Sequence, residues 1–148
     1  MKHKLLDIND LFIKLPVGAD REYAVQKVDL ELAQGETLCV VGESGSGKSL
    51  TARAVMGLLP APHVQVSNGE INFNGEDVTK ASYDRLRDIR GSEISMIFQE
   101  PMTALNPVMS IGAQIDEIFR YHVDMPSAER SRKAIALLED VNLPDPAH

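Results

Sequence analysis

Tryptophan is absent, aromatic residues make up 5% of the chain, and cysteine occurs once, so no disulfide can form within it. The single thiol, Cys39, lies in the apolar run Leu38-Cys39-Val40-Val41, where a small buried hydrophobe with no chemistry of its own is expected. No stretch approaches the roughly 18 consecutive apolar residues that a membrane-spanning helix needs. The N-terminal MKHKLLDINDLF lacks the apolar centre of a secretory signal, so the expected compartment is the cytoplasm. Basic charge is not in excess either. Fifteen Lys and Arg face 22 Asp and Glu, a formal net charge of −7, which argues against a nucleic-acid surface and for no nucleic-acid partner. The one basic cluster, Arg85, Arg87 and Arg90, is interleaved with Asp84 and Asp88 and reads as a solvated helix face. Internal repeats and low-complexity segments are lacking as well.

What is present fits one globular domain with a single core: 148 residues, 43% hydrophobic and 25% charged. Val28, Leu30 and Leu32 alternate with Asp29, Glu31 and Ala33, the pattern of a strand with one buried face. A Gln34-Gly35-Glu36 turn leads to a second expected strand, Thr37 to Val41, apolar on both faces as in the middle of a covered sheet. Lys48 to Leu59 has Ala52, Val55, Met56 and Leu59 on one side of an expected helix, closed by Pro60-Ala61-Pro62. Short strands are expected at Gly69 to Gly75 and at Glu93 to Phe98. Helical spacing then returns at Ile111, Ile115, Ile118 and Phe119, and again at Ala134, Leu137, Leu138 and Val141 in a segment opening near Pro126 and Ser127.

Between the second strand and the first helix stands VVGESGSGKSLT. Gly42, Gly47, Lys48 and Ser49 satisfy the pattern G-x-x-x-x-G-K-S, and Gly45 adds a further position free of side-chain bulk. Glycines let the backbone turn so that several N–H groups converge on phosphate oxygens, while the following helix aims its partly positive N-terminus at the same place. Lys48 is suited to reach the β- and γ-phosphates and the Ser49 hydroxyl to ligate Mg²⁺. The candidate nucleotide-binding residues are therefore Gly42, Glu43, Ser44, Gly45, Ser46, Gly47, Lys48, Ser49 and Leu50. The bland alternative is a flexible Gly/Ser loop, against which the strand-loop-helix order counts.

Phosphate-loop chemistry also asks for an acid at the end of another apolar strand and a group that positions water. Ile135-Ala136-Leu137-Leu138-Glu139-Asp140 ends in two carboxylates, but Ala and Leu favour a helix and the preceding Glu129-Arg130-Ser131-Arg132-Lys133 makes it amphipathic; it is read as a decoy. The better stretch is Ile94-Ser95-Met96-Ile97-Phe98-Gln99-Glu100, an expected strand ending in an amide and an acid.

VGESGSGKS followed about fifty residues later by MIFQEPMTALNP closely resembles the ATPase subunits of ATP-binding cassette (ABC) transporters, in particular the branch that powers import of dipeptides and oligopeptides. The likeness runs over essentially the whole chain, from Gly35-Glu36-Thr37 to the closing VNLP. It implies an α/β fold: a P-loop NTPase (ABC ATPase) core with N-terminal antiparallel β strands, to about residue 100, and from about 101 to 148 the start of a helical subdomain. It implies ATP and Mg²⁺ as cofactors, with Lys48 and Gln99 as catalytic residues and Ser49 and Gln99 at the metal. A neutral amide at Gln99 can coordinate and donate without adding charge near the triphosphate. An aromatic stacked on adenine is also implied, for which Phe12 and Tyr23 are the nearby candidates.

The implied partners are a second ATPase subunit, closing head to tail, transmembrane permease subunits meeting Gln99 to Asn106, and indirectly a solute-binding protein. The implied location is the cytoplasmic side of the inner membrane, as a peripheral protein. Met102, Leu105 and Met109 are adaptable side chains suited either to a partner groove or to packing, while for the Ile111 to Phe119 stripe packing is the preferred reading. The LSGGQ-type signature, the second acid-bearing strand and the switch histidine of such ATPases have no match here; His3, His63, His122 and His148 lie in no fitting context. The expectation is an incomplete domain, the N-terminal portion of a longer ATPase, short of full hydrolytic machinery and prone to aggregate alone. Two alternatives stand beside it: a nucleotide-binding piece without turnover, and another phosphate-loop enzyme such as a small-molecule kinase or a GTPase.

Overall fold

Residues 3–99 and 105–146 are described by a computed structural model. They form two compact units, one running to Arg87 and one starting at Asp88. The first is built on a four-stranded antiparallel sheet of order β2-β1-β3-β4, with β1 Lys4–Lys14, β2 Tyr23–Ala33, β3 Gln65–Phe73 and β4 Glu76–Asp77. Its core gathers Ile8, Leu11 and Ile13 of β1, Val25 of β2, Ile71 and Phe73 of β3, and Val55 and Met56 after the glycine loop.

Strict alternation would bury residues 8, 10, 12 and 14 of β1 together, yet 8, 11 and 13 are the buried set. A one-residue bulge resolves this. Ile8 pairs with Leu30 and Leu11 with Val28, and on the other side Asn9 pairs with Glu70 and Phe12 with Asn68, so β1 carries one extra residue against both neighbours. Asp10 takes a left-handed φ of 48° there. Its N–H donates to the Asp29 carboxylate at 2.7 Å and its own carboxylate accepts from Asn68 Nδ2 at 2.8 Å, bracing the bulge from both strands.

The expected strand at Val28 to Leu32 is the second half of β2, and the one at Gly69 to Gly75 is the end of β3, which turns into β4 through Asn74-Gly75, both at positive φ. Helix α1 spans Lys48–Val55 and so stops four residues short of the expected Leu59. The stop is a Schellman motif: Gly57 N–H donates to Ala54 O at 3.0 Å and Leu58 N–H to Arg53 O at 2.8 Å. Ala52 is exposed, so the buried side of this helix is Ala54, Val55 and Met56.

Two expected strands are not formed. Residues 37–41 and 94–98 carry no regular structure; Val41 is 83% and Ile97 95% exposed, and Cys39 is exposed where a buried hydrophobe was expected. An apolar extended run becomes a strand only when another strand pairs with its backbone, and among the described residues none pairs with these two.

Helix α2, Tyr83–Ser92, spans the junction of the two units. Arg85 pairs with Glu76 of β4 at 2.8 Å and Arg87 with Asp84 at 3.3 Å, largely the solvated face expected of that cluster. The second unit pairs α3 Ile111–His122 with α4 Ser127–Asp140, which contains the Ile135 to Asp140 decoy as helix. Arg130 of α4 donates to Asp116 of α3 at 2.6 Å and to Met125 O at 2.8 Å. No residue of α3 is fully buried: Ile115 and Phe119 are half-buried, Ile111 and Ile118 exposed, so packing covers only part of the stripe.

Candidate functional site

The glycine loop sits between residues 37–41, which form no regular element, and α1, and its glycines take the backbone conformations that the sequence pattern asks for. Gly45 has φ 79° and Gly47, the residue before the first helical turn, φ 92°. Both values lie in the left-handed region where a Cβ costs energy. At Gly47 a Cβ would also lie 2.6 Å from Val25 Cγ2 and 2.7 Å from the Ala24 carbonyl oxygen, so the loop is seated directly on β2. Near Gly45 the space is open.

Helix α1 begins with no side-chain cap and no acidic residue in its first turn. The N–H groups of Lys48, Ser49 and Leu50 therefore face outward without an intrahelical acceptor, at the positive end of the helix dipole. Thr51 ties the turn down, its N–H and its hydroxyl both donating to Gly47 O, at 2.8 and 3.1 Å. Lys48 folds back across the loop: Nζ donates to Gly42 O and Glu43 O, each at 2.7 Å, and to Ser46 Oγ at 3.1 Å. An ammonium so held closes the loop into a ring and concentrates positive charge at its mouth.

A cavity of about 280 Å³ opens on this ring, walled by Gly45, Ser46, Gly47, Lys48, Ser49 and Leu50 on one side and by Leu15, Arg21 and Ala24 on the other. Convergent N–H groups, an ammonium and the exposed Ser49 hydroxyl form a donor set suited to a polyphosphate with a hard divalent cation. Gly42, Glu43 and Ser44 complete the loop without lining the cavity. Phe12 and Tyr23 do not line it either; their rings pack edge to face, centroids 5.6 Å apart. Leu15 and Arg21 are wall residues that sequence reasoning missed, and no spacing rule marks them, because they reach the loop from the connection between β1 and β2.

Gln99 belongs to the second unit and is exposed in a bend. Glu100 and Met102 lie outside the described residues, as does His148. Leu105 is exposed and Met109 half-buried in a segment shaped by Gln114, which accepts from Asn106 N–H at 2.9 Å and donates to Asn106 O and Met109 O at 3.1 and 3.2 Å.

Loop, helix and sheet together define a phosphate-loop nucleoside-triphosphatase fold. A family model described as ABC transporter matches residues 25–148. The chain is 43% identical over 143 residues to the oligopeptide transport ATP-binding protein OppD of Bacillus subtilis, covering 97% of this chain and 40% of that protein. It is 44% identical over 145 residues to the probable D,D-dipeptide transport ATP-binding protein DdpD of Escherichia coli, covering 98% and 44%. Among solved structures, the dimeric bacterial ABC transporter cassette MJ0796 superposes with a TM-score of 0.79 at 24% identity, over 95% of this chain and 58% of that one, which establishes the fold.

The chain belongs to the ABC transporter family and spans less than half the length of those two transport proteins. Kinase and GTPase readings of the glycine loop fall with that assignment. Among the described residues, no helix is long and apolar enough to cross a membrane.

Proposed function

We propose that the chain binds Mg-ATP in the cradle of Gly42 to Leu50 and forms part of an ATPase that drives import of peptides, or a related solute, through a membrane permease. The observation that carries the binding is the uncapped, acid-free start of α1 behind a loop ringed by Lys48. In this reading the N–H groups at the start of α1 would hold the β-phosphate, Lys48 would exchange a loop carbonyl for a β- or γ-phosphate oxygen, and Ser49 would hold Mg²⁺, with Gln99 the further candidate ligand by the family resemblance. Mg²⁺ would supply charge neutralisation to the phosphates. Gln99 orients the attacking water.

The peptide-transport names of the relatives support the substrate class. The same kinship supports permease subunits meeting Gln99 to Asn106, a second ATPase subunit closing head to tail, a solute-binding protein acting indirectly, and a peripheral place at the cytoplasmic face of the membrane. Residues to about 100 form the nucleotide-binding region and 101 to 148 the opening of a helical subdomain.

The test is Mg-ATP binding and phosphate release, beside Lys48→Ala. Binding weakened at least tenfold by that change supports the cradle; equal binding by the two proteins, or none by either, overturns it. Phosphate release that depends on Lys48 would mean that this chain also carries its own acid, and would bring Glu100 or the Glu139-Asp140 pair back into consideration for it. Release at background with binding intact supports a cradle that grips without cleaving.

A further inference from the structure

The connection between β1 and β2 is closed at its base by Leu15 N–H donating to Glu22 O at 2.9 Å, and it lies beside the glycine loop. From it Arg21, 24 residues before Gly45 in the chain, donates through Nη2 to the Gly45 carbonyl oxygen. This is a contact from outside the loop to the carbonyl of its most permissive residue, a glycine at φ 79° with open space around it. A trans peptide points its C=O and N–H in opposite directions, so holding the Gly45 carbonyl also fixes the Ser46 N–H. The Ser46 N–H itself donates to Glu43 O at 3.3 Å, a long bond, so the Gly45-Ser46 peptide is held weakly from inside the loop and by Arg21 from outside; without Arg21 its carbonyl is freer to turn an oxygen dipole to where the cradle needs donors.

We infer that Arg21 is a positioning residue of the phosphate cradle: it pins the Gly45-Ser46 peptide in the orientation that keeps donors, and not the carbonyl, toward the ligand. This rests on the nucleotide-binding reading above and adds a determinant from outside the loop pattern. The ligand class concerned is the polyphosphate chain, not the nucleoside. Leu15 and Ala24, the other wall residues outside the loop, are apolar and cannot serve in its place.

The experiment compares wild type, Arg21→Met and Arg21→Lys for binding of Mg-ATP and of Mg-tripolyphosphate, which has phosphates and no nucleoside. Losing one charge-assisted hydrogen bond that shapes the cradle should weaken both ligands by the same factor, roughly tenfold. Lysine, which still donates to a carbonyl, should recover most of that loss. Amide hydrogen exchange at residues 45–49 should be faster in Arg21→Met without ligand and return toward wild type in Arg21→Lys, a readout that remains if binding is too weak to titrate.

Weakening of ATP alone would overturn the inference in favour of a nucleoside contact. Unchanged affinity and unchanged exchange in Arg21→Met would overturn it outright while leaving the cradle standing. A wild-type protein that binds neither ligand would sink both readings together. Arg21 is exposed on a connection, so the Met variant should melt with the wild type; a lowered melting point that Arg21→Lys does not restore would make the role one of folding and overturn the inference.

Discussion

Alanine at Gly47 and alanine at Gly45 are chemically the same change, two residues apart, and the structure gives them different costs. Both glycines sit at positive φ, so each alanine incurs the left-handed backbone penalty of about 1–2 kcal/mol. At Gly45 nothing lies within 4 Å of the new Cβ, and that penalty is the whole cost. At Gly47 the new carbon meets a buried Val25 methyl at 2.6 Å and a backbone carbonyl at 2.7 Å, neither of which is a flexible side-chain end. Overpacking of that kind adds about 1–3 kcal/mol.

The strain at Gly47 has two outlets. If the loop lifts off β2, the N–H groups of residues 47–50 move and affinity falls; if it stays, the fold bears the strain and melting falls. Both are therefore measured, as Mg-ATP dissociation constants by titration and melting curves on the same preparations. The summed loss for Gly47→Ala should exceed that for Gly45→Ala by about 1–3 kcal/mol, which is roughly 5- to 150-fold if all of it appears in binding. If it all appears in stability, it is about 2–4 °C per kcal/mol for a chain of this size. Equal losses, or a larger loss at Gly45, would refute the claim that the loop is seated on β2.

Cys39, the only cysteine, should react with a maleimide or an aromatic disulfide reagent in the folded protein to one equivalent, at a rate near that of the unfolded chain; strong native-state protection would contradict its exposure. Ile71, buried across from Ile8 in the sheet, should cost about 2–5 kcal/mol as alanine in a urea melt, while Val17→Ser, fully exposed, should cost nothing measurable. Asp77 bears on acid stability: burial raises its pKa, but hydrogen bonds from Lys80 and Thr79 outweigh this and hold the carboxyl below its ordinary value. A carboxyl lowered by folding contributes stability above its unfolded pKa, near 3.9, and loses that contribution as pH falls through the folded value. Asp77→Asn should therefore lower the melting point at pH 7 and converge with wild type at the acid end of a melting series; a constant offset at all pH values would refute the assignment.

What was legible in the sequence divides by the range of the interactions that decide it. The cradle is local: six residues of loop and the first turn of a helix carry their own reason, since glycine, lysine and serine each have a conformational or chemical task within eight positions. Helices α3 and α4 were legible for the same cause, because their periodicity and caps are read within a few turns; Ser110 accepts from Ala113 N–H at 3.2 Å at the start of α3. Residues 37–41 and 94–98 have as good an apolar pattern as β2, yet a strand is a relation between two segments, and pattern alone does not supply the second. The bulge at Asp10 escaped for a related reason: the phase of alternation slips there, so Ile8 and Leu11 look out of step until Asp29 and Asn68 are seen bracing the extra residue from either side. Arg21 is the sharpest case. Its charge is plain in the sequence, in the connection Leu15 to Glu22, but its meaning depends on a carbonyl 24 residues away that only the folded β1–β2 connection brings within reach.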